Sequence, residues 1–426
     1  MVSTAGTFAA AAVVVAGLLT AAHPATAAAQ GLPTEGTLTQ ISDFGSNPGS
    51  LDMFAYVPTG LQSGAPLVIA LHGCTQDAED YYEDSGWPQE ANTYGFAMIF
   101  AEQPSETNPI LECFDWGDTS NDSRGNGEAE SLYQMIQYAE ANWGVNPSQI
   151  YITGLSAGAG MTADMLADYP DVFAGGSIDS GPAAQCSTSG IYNTDCTSGT
   201  TDNTVAQWGA LIKGSDSGYS GPYPRVAIWQ GSADTTVNPD ELTYNMDGWT
   251  DVWGLSQTPT STQSLPGGTT ENIYSTSNGT QAVATFEVSG MSHGLAVEPG
   301  SAANECGTTA AYFLDYVCSS YYTVLFWGLN NGSTSSPSPS PSTTPTSTPT
   351  PTATPTPTPP TPTPTPTDLG CWTTNNYDQV AAGRAYQDLG YVYADGSNEA
   401  MGLYNLYQTN SLEETSPGYY VIVSSC

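Results

Sequence analysis

Gly154-Leu155-Ser156-Ala157-Gly158 follows the apolar run Gln149-Ile150-Tyr151-Ile152-Thr153 and precedes the helix-like segment Met161 to Ala167. A buried strand that becomes a helix across so short a turn crowds the backbone at its middle residue, and a sheet must exist for that strand to end in. The flanking glycines are expected to keep side chains away from the serine hydroxyl. Gly/Ser turns alone produce this pattern by chance, but the strand before and the helix after argue for a nucleophile elbow.

The rest of the chain supplies such a sheet. Strand-like runs at Met53 to Val57, Pro66 to Leu71, Ala97 to Ala101, Gln149 to Thr153, Arg225 to Gln230 and Ala284 to Val288 alternate with helical patterns, which predicts an α/β fold with a mostly parallel sheet. Glu128 to Trp143 is the clearest helix. Its Leu132, Met135, Ile136, Ala139 and Trp143 form one apolar stripe, and Glu128 and Glu130 sit in the first turn, where negative charge suits the helix dipole. Gln185 to Thr204 and Gly254 to Thr280 are polar and read as loops at the rim of a cleft.

An exposed serine at an elbow needs a base, and the chain has only His23, His72 and His293. His23 lies in a segment expected to be removed. His72, in Leu71-His72-Gly73-Cys74, stands directly after a strand, where an oxyanion loop belongs, which leaves His293 as the base. In folds built around this turn the order along the chain is serine, acid, histidine. Asp234, directly after the strand-like Arg225 to Trp229, fits that order better than its competitors Asp240 and Glu241. Backbone N–H groups of Ala157 and Cys74 are the expected oxyanion donors, with Thr75 as an alternative to Cys74; each such donor is worth roughly 3 kcal/mol of barrier.

Several segments in order resemble one known family. Leu71 to Gln76, Cys113-Phe114-Asp115-Trp116, Arg124-Gly125-Asn126-Gly127-Glu128, Gly154 to Gly158 and Ala233 to Val237 are similar to secreted esterases of the polyhydroxybutyrate-depolymerase type, which include acetylxylan and feruloyl esterases of carbohydrate esterase family one. Gly248 to Pro259 is similar to the xylan-esterase members in particular. The resemblance spans about residues 35 to 330 and implies an α/β-hydrolase fold with Ser156, Asp234 and His293 as the catalytic triad. The chain departs from the family at Gln230-Gly231-Ser232, where His-Gly-Thr is common, and at Ser292-His293-Gly294, where Gly-His-Asn is common.

Charge and cysteines bound the setting. Four basic residues against forty-two acidic ones give a net charge of −38, which opposes binding to nucleic acid or anionic lipid. No cofactor or metal is expected, because the chain has no C-x-x-C pair and no spare histidine. Eight cysteines in an exported chain read as four disulfides. Their pairing is not determined by sequence; the expected pairs are Cys74–Cys113, Cys186–Cys196, Cys306–Cys318 and Cys371–Cys426. Phe8 to Leu19 is an apolar run of signal-peptide length without a preceding basic residue, followed by small-residue cleavage sites near Ala25 to Ala29. An uncleaved anchor is the alternative.

The expected organisation is therefore a signal peptide (1–29), an α/β-hydrolase esterase domain (30–331), a Pro/Thr/Ser-rich linker (332–368) and a small C-terminal module (369–426). The linker composition cannot build a core and favours an extended polyproline conformation. The module is dense in aromatics, with Trp372, Tyr377, Tyr386, Tyr391, Tyr393, Tyr404, Tyr407, Tyr419 and Tyr420 offering either a small core or a platform for a polymer. Its Cys371 to Tyr377 and Ala382 to Tyr386 segments resemble modules attached to secreted depolymerase-type esterases. The resemblance, together with these features, implies a secreted serine carboxylesterase that removes acetyl or feruloyl groups from xylan-type polysaccharide. The alternatives are an extracellular poly(3-hydroxybutyrate) depolymerase and a non-catalytic polymer-binding protein.

Overall fold

A computed structural model describes residues 33–330 and 370–426, apart from 106, 109–110, 188–193, 202, 389–390, 398, 404–408, 417–418 and 424–425. The expected leader and linker lie outside the described residues, as do Tyr404 and Tyr407 and the side chains of Tyr377 and Tyr391.

Ten strands form one sheet: β1 (Thr39–Ile41), β2 (Asp52–Tyr56), β3 (Leu67–Leu71), β4 (Ala97–Glu102), β5 (Ile150–Leu155), β6 (Gly175–Asp179), β7 (Arg225–Gly231), β8 (Ser261–Leu265), β9 (Thr269–Ser275) and β10 (Gln281–Val288). Their spatial order is β1-β2-β4-β3-β5-β6-β7-β10-β9-β8. The six strands from β4 to β10 in that order run parallel. Antiparallel strands close both edges, β1 and β2 on one side and β9 and β8 on the other.

Helices cover both faces, which explains why the central strands read as continuous apolar runs rather than alternating ones. On one face, α3 (Gly127–Trp143), α4 (Ala157–Asp168), α6 (Val205–Ser215) and α7 (Asp240–Trp253) pack against Leu67, Ile69, Leu71, Ile152 and Ile228. The other face takes α1 (Ala78–Asp84), α2 (Trp87–Tyr94) and α8 (Ser319–Trp327) against Val68, Ala70, Phe100, Trp229 and Phe286. A four-residue α5 (Thr194–Thr197) lies between, in a segment that carries the Cys186–Cys196 bond.

Three sequence expectations change. Gly254 to Thr280 is not a rim loop, since β8 and β9 extend the sheet there; β8 is almost wholly exposed, so its Ser/Thr/Gln composition carries no apolar alternation to read. The strand β6 was unmarked because Gly175-Gly176-Ser177-Ile178-Asp179 holds one large apolar side chain. Neighbours fill the space instead: a Cβ on Gly176 would lie 2.5 Å from Leu166 Cδ1. Glu128 does not serve the α3 dipole as a charge, because it is buried and desolvation raises its pKa well above the carboxylate range. It accepts a hydrogen bond from the Asp115 N–H and so ties the 113–116 loop to α3.

All four expected disulfides are present. Two short parallel strands, β11 (Leu295–Val297) and β12 (Phe313–Asp315), follow the main sheet. In the C-terminal unit, β13 (Cys371–Asn375) pairs with β17 (Thr409–Ser416) and β17 with β18 (Tyr419–Val423), while β14 (Ala385–Asp388), β15 (Tyr391–Ala394) and β16 (Ala400–Leu403) form a second sheet. Ala385, Val392, Ala394, Met401 and Leu412 are its core. Among the described residues, no helix is long and apolar enough to cross a membrane.

Candidate active site

Ser156 sits between the end of β5 and the start of α4 with φ 58° and ψ −116°, a left-handed conformation that a non-glycine residue adopts only under constraint. The constraint is backbone crowding. A Cβ on Gly154 would lie 2.3 Å from the Gly158 carbonyl oxygen, and one on Gly158 would lie 2.4 Å from the His72 carbonyl oxygen and 2.5 Å from that of Leu71. The glycines thus allow β5, α4 and the end of β3 to meet, which is a different reason from the open hydroxyl expected from sequence. The Ser156 N–H donates to the Asp179 carbonyl on β6, holding the turn to the neighbouring strand.

The structure brings the three side chains singled out in the sequence together. His293 Nε2 lies 2.9 Å from Ser156 Oγ, and His293 Nδ1 lies 2.8 Å from Asp234 Oδ2. The imidazole is 10% exposed and the carboxylate is not exposed at all. Asp234 Oδ1 accepts from the N–H groups of Thr236 and Val237 at 2.8 and 2.9 Å, so its second oxygen is left for the histidine. The competing acids are elsewhere engaged or exposed: Glu241 accepts from the Ala183 N–H, and Asp240 opens α7.

Two neighbours that sequence reasoning missed brace this arrangement. Gln230, at the end of β7, donates from Nε2 to Asp234 Oδ2 at 3.1 Å and to the Val237 carbonyl at 3.0 Å. It occupies the position where the sequence departs from the family pattern, and that departure was the available signal. Ser180 Oγ donates to the Gly294 carbonyl at 2.9 Å, fixing the residue next to His293.

His72 is excluded as a base by its environment. It is fully buried, and desolvation lowers its pKa to about 4, so the ring is neutral. Its Nε2 accepts from the Gln103 N–H at 3.0 Å, which places the ring proton on Nδ1 and makes it donate to the Gly73 carbonyl at 2.8 Å. Because the peptide group is planar and trans, pinning the Gly73 carbonyl toward His72 turns the Cys74 N–H to the opposite side. The Gly73 N–H is held separately by Gln76 Oε1 at 2.8 Å.

This geometry separates the two sequence candidates for the loop donor. The Thr75 N–H donates to the Leu111 carbonyl at 2.6 Å, whereas the Cys74 N–H has no partner among the described residues. The Cys74–Cys113 disulfide adds a second tie between the same two loops. Ala157 is the first residue of α4, so its N–H lacks an intrahelical acceptor and lies at the positive end of the helix dipole. A neutral carbonyl acquiring negative charge is the species such donors suit.

The segment 248–259, which resembled xylan-esterase members, has a packing role. Trp249 is fully buried on α7, and a Cβ on Gly248 would lie 2.8 Å from Ile212 Cδ1 of α6. Those two residues pack α7 against α6.

Comparison with known proteins agrees with this frame. Residues 51–257 match the family model described as Esterase PHB depolymerase. The poly(3-hydroxyalkanoate) depolymerase C of Paucimonas lemoignei is 46% identical over 293 residues, covering 68% of this chain and 70% of that protein. Acetylxylan esterase of Coprinopsis cinerea is 36% identical over 61% of this chain and 70% of its own length, and feruloyl esterase B of Talaromyces stipitatus 38% over 62% and 74%. Among solved structures, an acetyl xylan esterase from Aspergillus awamori superposes with a TM-score of 0.56 at 30% identity, covering 61% of this chain and 94% of that one. The chain belongs to the PHB-depolymerase esterase family and is a carboxylic ester hydrolase of α/β-hydrolase fold.

Proposed function

We propose that Ser156, His293 and Asp234 form the catalytic triad of a secreted esterase that cleaves acetyl or feruloyl esters on xylan-type polysaccharide. The observation that carries the triad is the continuous chain from Ser156 Oγ through both imidazole nitrogens to a buried carboxylate. His293 takes the serine proton as Oγ attacks the ester carbonyl, and the N–H groups of Ala157 and Cys74 receive the oxyanion. The imidazolium, stabilised by Asp234, returns its proton to the leaving alcohol, and water then cleaves the acyl-enzyme by the same route. The reaction needs no cofactor.

Residues 30–331 carry the reaction in this reading, and residues 369–426 anchor the enzyme to its polymer. Support for the anchor comes from Tyr386 and Tyr419, which are 40% and 42% exposed, and from the stacking of Tyr386 on Tyr393 across β14 and β15. Trp372 and Tyr420 are half-buried against one another and belong with the core alternative. Anchoring raises the local concentration of bound ester without altering the chemistry.

A second reading, hydrolysis of a poly(3-hydroxyalkanoate), has its own support in the higher identity to the depolymerase, 46% against 36% and 38% for the acetylxylan and feruloyl esterases. Both substrates pass through the same acyl-enzyme. Acetylated xylan, feruloylated arabinoxylan and a polyhydroxybutyrate film offered side by side distinguish them, with Ser156→Ala as control. Acetate or ferulate release supports the first reading and hydroxybutyrate release the second. Equal inertness of wild type and Ser156→Ala on all three and on an aryl ester would leave the non-catalytic polymer-binding reading.

A further inference from the structure

We infer that Ser180 is a positioning residue for proton delivery to the leaving alcohol, because its hydroxyl sets the place of His293 relative to Ser156. The inference rests on the esterase reading above and adds to it which contact aims the imidazole and which proton transfer depends most on that aim.

Asp179 closes β6 and Ser180 follows it, and the pair touches three segments of the site. Asp179 lies abreast of Leu155 in the sheet, and its carbonyl accepts from the Ser156 N–H at 3.0 Å. The Ser180 N–H donates to the Trp229 carbonyl of β7 at 2.8 Å, and the Ser180 hydroxyl donates to the Gly294 carbonyl at 2.9 Å. One dipeptide therefore holds the nucleophile through its first residue and the segment carrying His293 through its second. Ser180 is fully buried, so water does not compete for that hydroxyl.

The backbone shows why the hydroxyl matters. Ser180 has φ 50°, a left-handed conformation that glycine adopts freely and that costs free energy in a residue with a side chain. What serine offers over glycine at this position is the bond to Gly294. The other ties around His293 are made by backbone. The Ala233 N–H donates to the Met291 carbonyl at 3.0 Å, on the side of Asp234, and the Leu295 N–H donates to the Tyr312 carbonyl at 2.7 Å. Of these ties, the Ser180 bond is the one that runs to the strand beside Ser156.

Losing that tie removes no reacting group. It frees the Gly294 peptide to tilt and lets the imidazole drift from its 2.9 Å contact with Ser156 Oγ. The two proton transfers at Nε2 feel this unequally. Nε2 first takes the Ser156 proton as Oγ bonds to the ester carbon. It then passes that proton to the leaving oxygen as the bond from that oxygen to the carbon breaks, the electron pair staying on the oxygen. An alkoxide departs poorly without the proton, whereas a nitrophenolate is stable as the anion and departs without it. A misplaced imidazole is therefore costlier for an alkyl ester than for a nitrophenyl ester of the same acid.

Ethyl acetate and p-nitrophenyl acetate form the same acetyl-enzyme, and kcat/KM compares the steps that lead to it. For Ser180→Ala, kcat/KM is expected to fall about 50-fold on ethyl acetate and about fivefold on p-nitrophenyl acetate, part of the roughly 100- to 10,000-fold that positioned proton transfer supplies. Ser180→Gly, which removes the hydroxyl and relieves the left-handed strain, must show the same leaving-group bias with an unfolding midpoint no lower than that of Ser180→Ala. Equal fractional losses on the two esters, or no loss on either, overturn the inference and leave Ser180 a residue of the fold alone. Wild-type behaviour of Ser180→Gly beside a defective Ser180→Ala overturns it too, because strain and not the hydroxyl would then be the cause. Inactivity of wild type on both esters would sink the esterase reading itself, an outcome distinct from an active wild type whose variants show no bias.

Discussion

Gly158→Ala is the smallest change that attacks the elbow without touching a reacting group. The added carbon would stand 2.4 and 2.5 Å from the carbonyl oxygens of His72 and Leu71, about 0.9 Å short of the roughly 3.3 Å at which carbon and oxygen ordinarily meet. Both contacts are backbone, so no side chain can rotate away. Either α4 moves off β3, displacing Ser156 and the Ala157 N–H, or the chain at 71–72 moves, displacing the Gly73-Cys74 peptide. Each route shifts one of the proposed oxyanion donors relative to Ser156. Misplacement on the order of 1 Å costs about 100-fold in rate, and overpacking of this kind costs about 1–3 kcal/mol of stability. Turnover of p-nitrophenyl acetate should therefore fall about 100-fold in kcat with little change in KM, while the thermal midpoint drops by only a few degrees. A kcat within threefold of wild type would refute the argument that backbone contact at this glycine sets the geometry of the site.

Other outcomes follow from the same contacts. Gln230→Leu removes one donor from Asp234 and the tie to Val237, so kcat should fall roughly tenfold with little change in KM; an unchanged kcat would show that Gln230 only fills space. Breaking the Cys74–Cys113 bond by double serine substitution releases a crosslink spanning 39 residues, worth about 4 kcal/mol in the chain-entropy model. Urea denaturation should register most of that loss, and kcat should drop further because the oxyanion loop loses a tie. Burial raises the pKa of Glu90, Asp122 and Asp179 to about 7 and of Asp168 and Glu241 to about 8. The folded chain then holds more protons than the unfolded one between about pH 4 and 8, so stability present at the acidic end is lost as pH rises through that window. Urea midpoints should fall from pH 5 to pH 8, and a rise would contradict this.

What could be read in advance divides along physical lines. The meeting of Ser156, His293 and Asp234 was legible because all three follow strands that announce themselves as apolar runs, and because a chain with three histidines leaves few assignments. The fold class followed from the same runs, for parallel strands buried on both faces must be apolar throughout. β6 and the edge strands β8 and β9 were missed for opposite reasons: β6 gives up side chains to let Leu166 approach, and β8 is solvated. Glu128 shows the limit of reading charge from position, since a helix first turn suits a carboxylate only where water reaches it. Gln230 acts through contacts between segments distant in the chain, and a single sequence holds no trace of those beyond the departure at that position. Of the 248–259 similarity, what the structure explains is packing, since Trp249 is buried on α7 and Gly248 lets α6 approach.

The central claim is that Ser156 is the nucleophile, and labelling with a fluorophosphonate followed by peptide mass mapping tests it most directly. A single adduct on Ser156, formed in step with loss of esterase activity and absent from Ser156→Ala, is the predicted result. Loss of activity with the adduct on another residue, or full activity with Ser156 quantitatively labelled, would contradict the account.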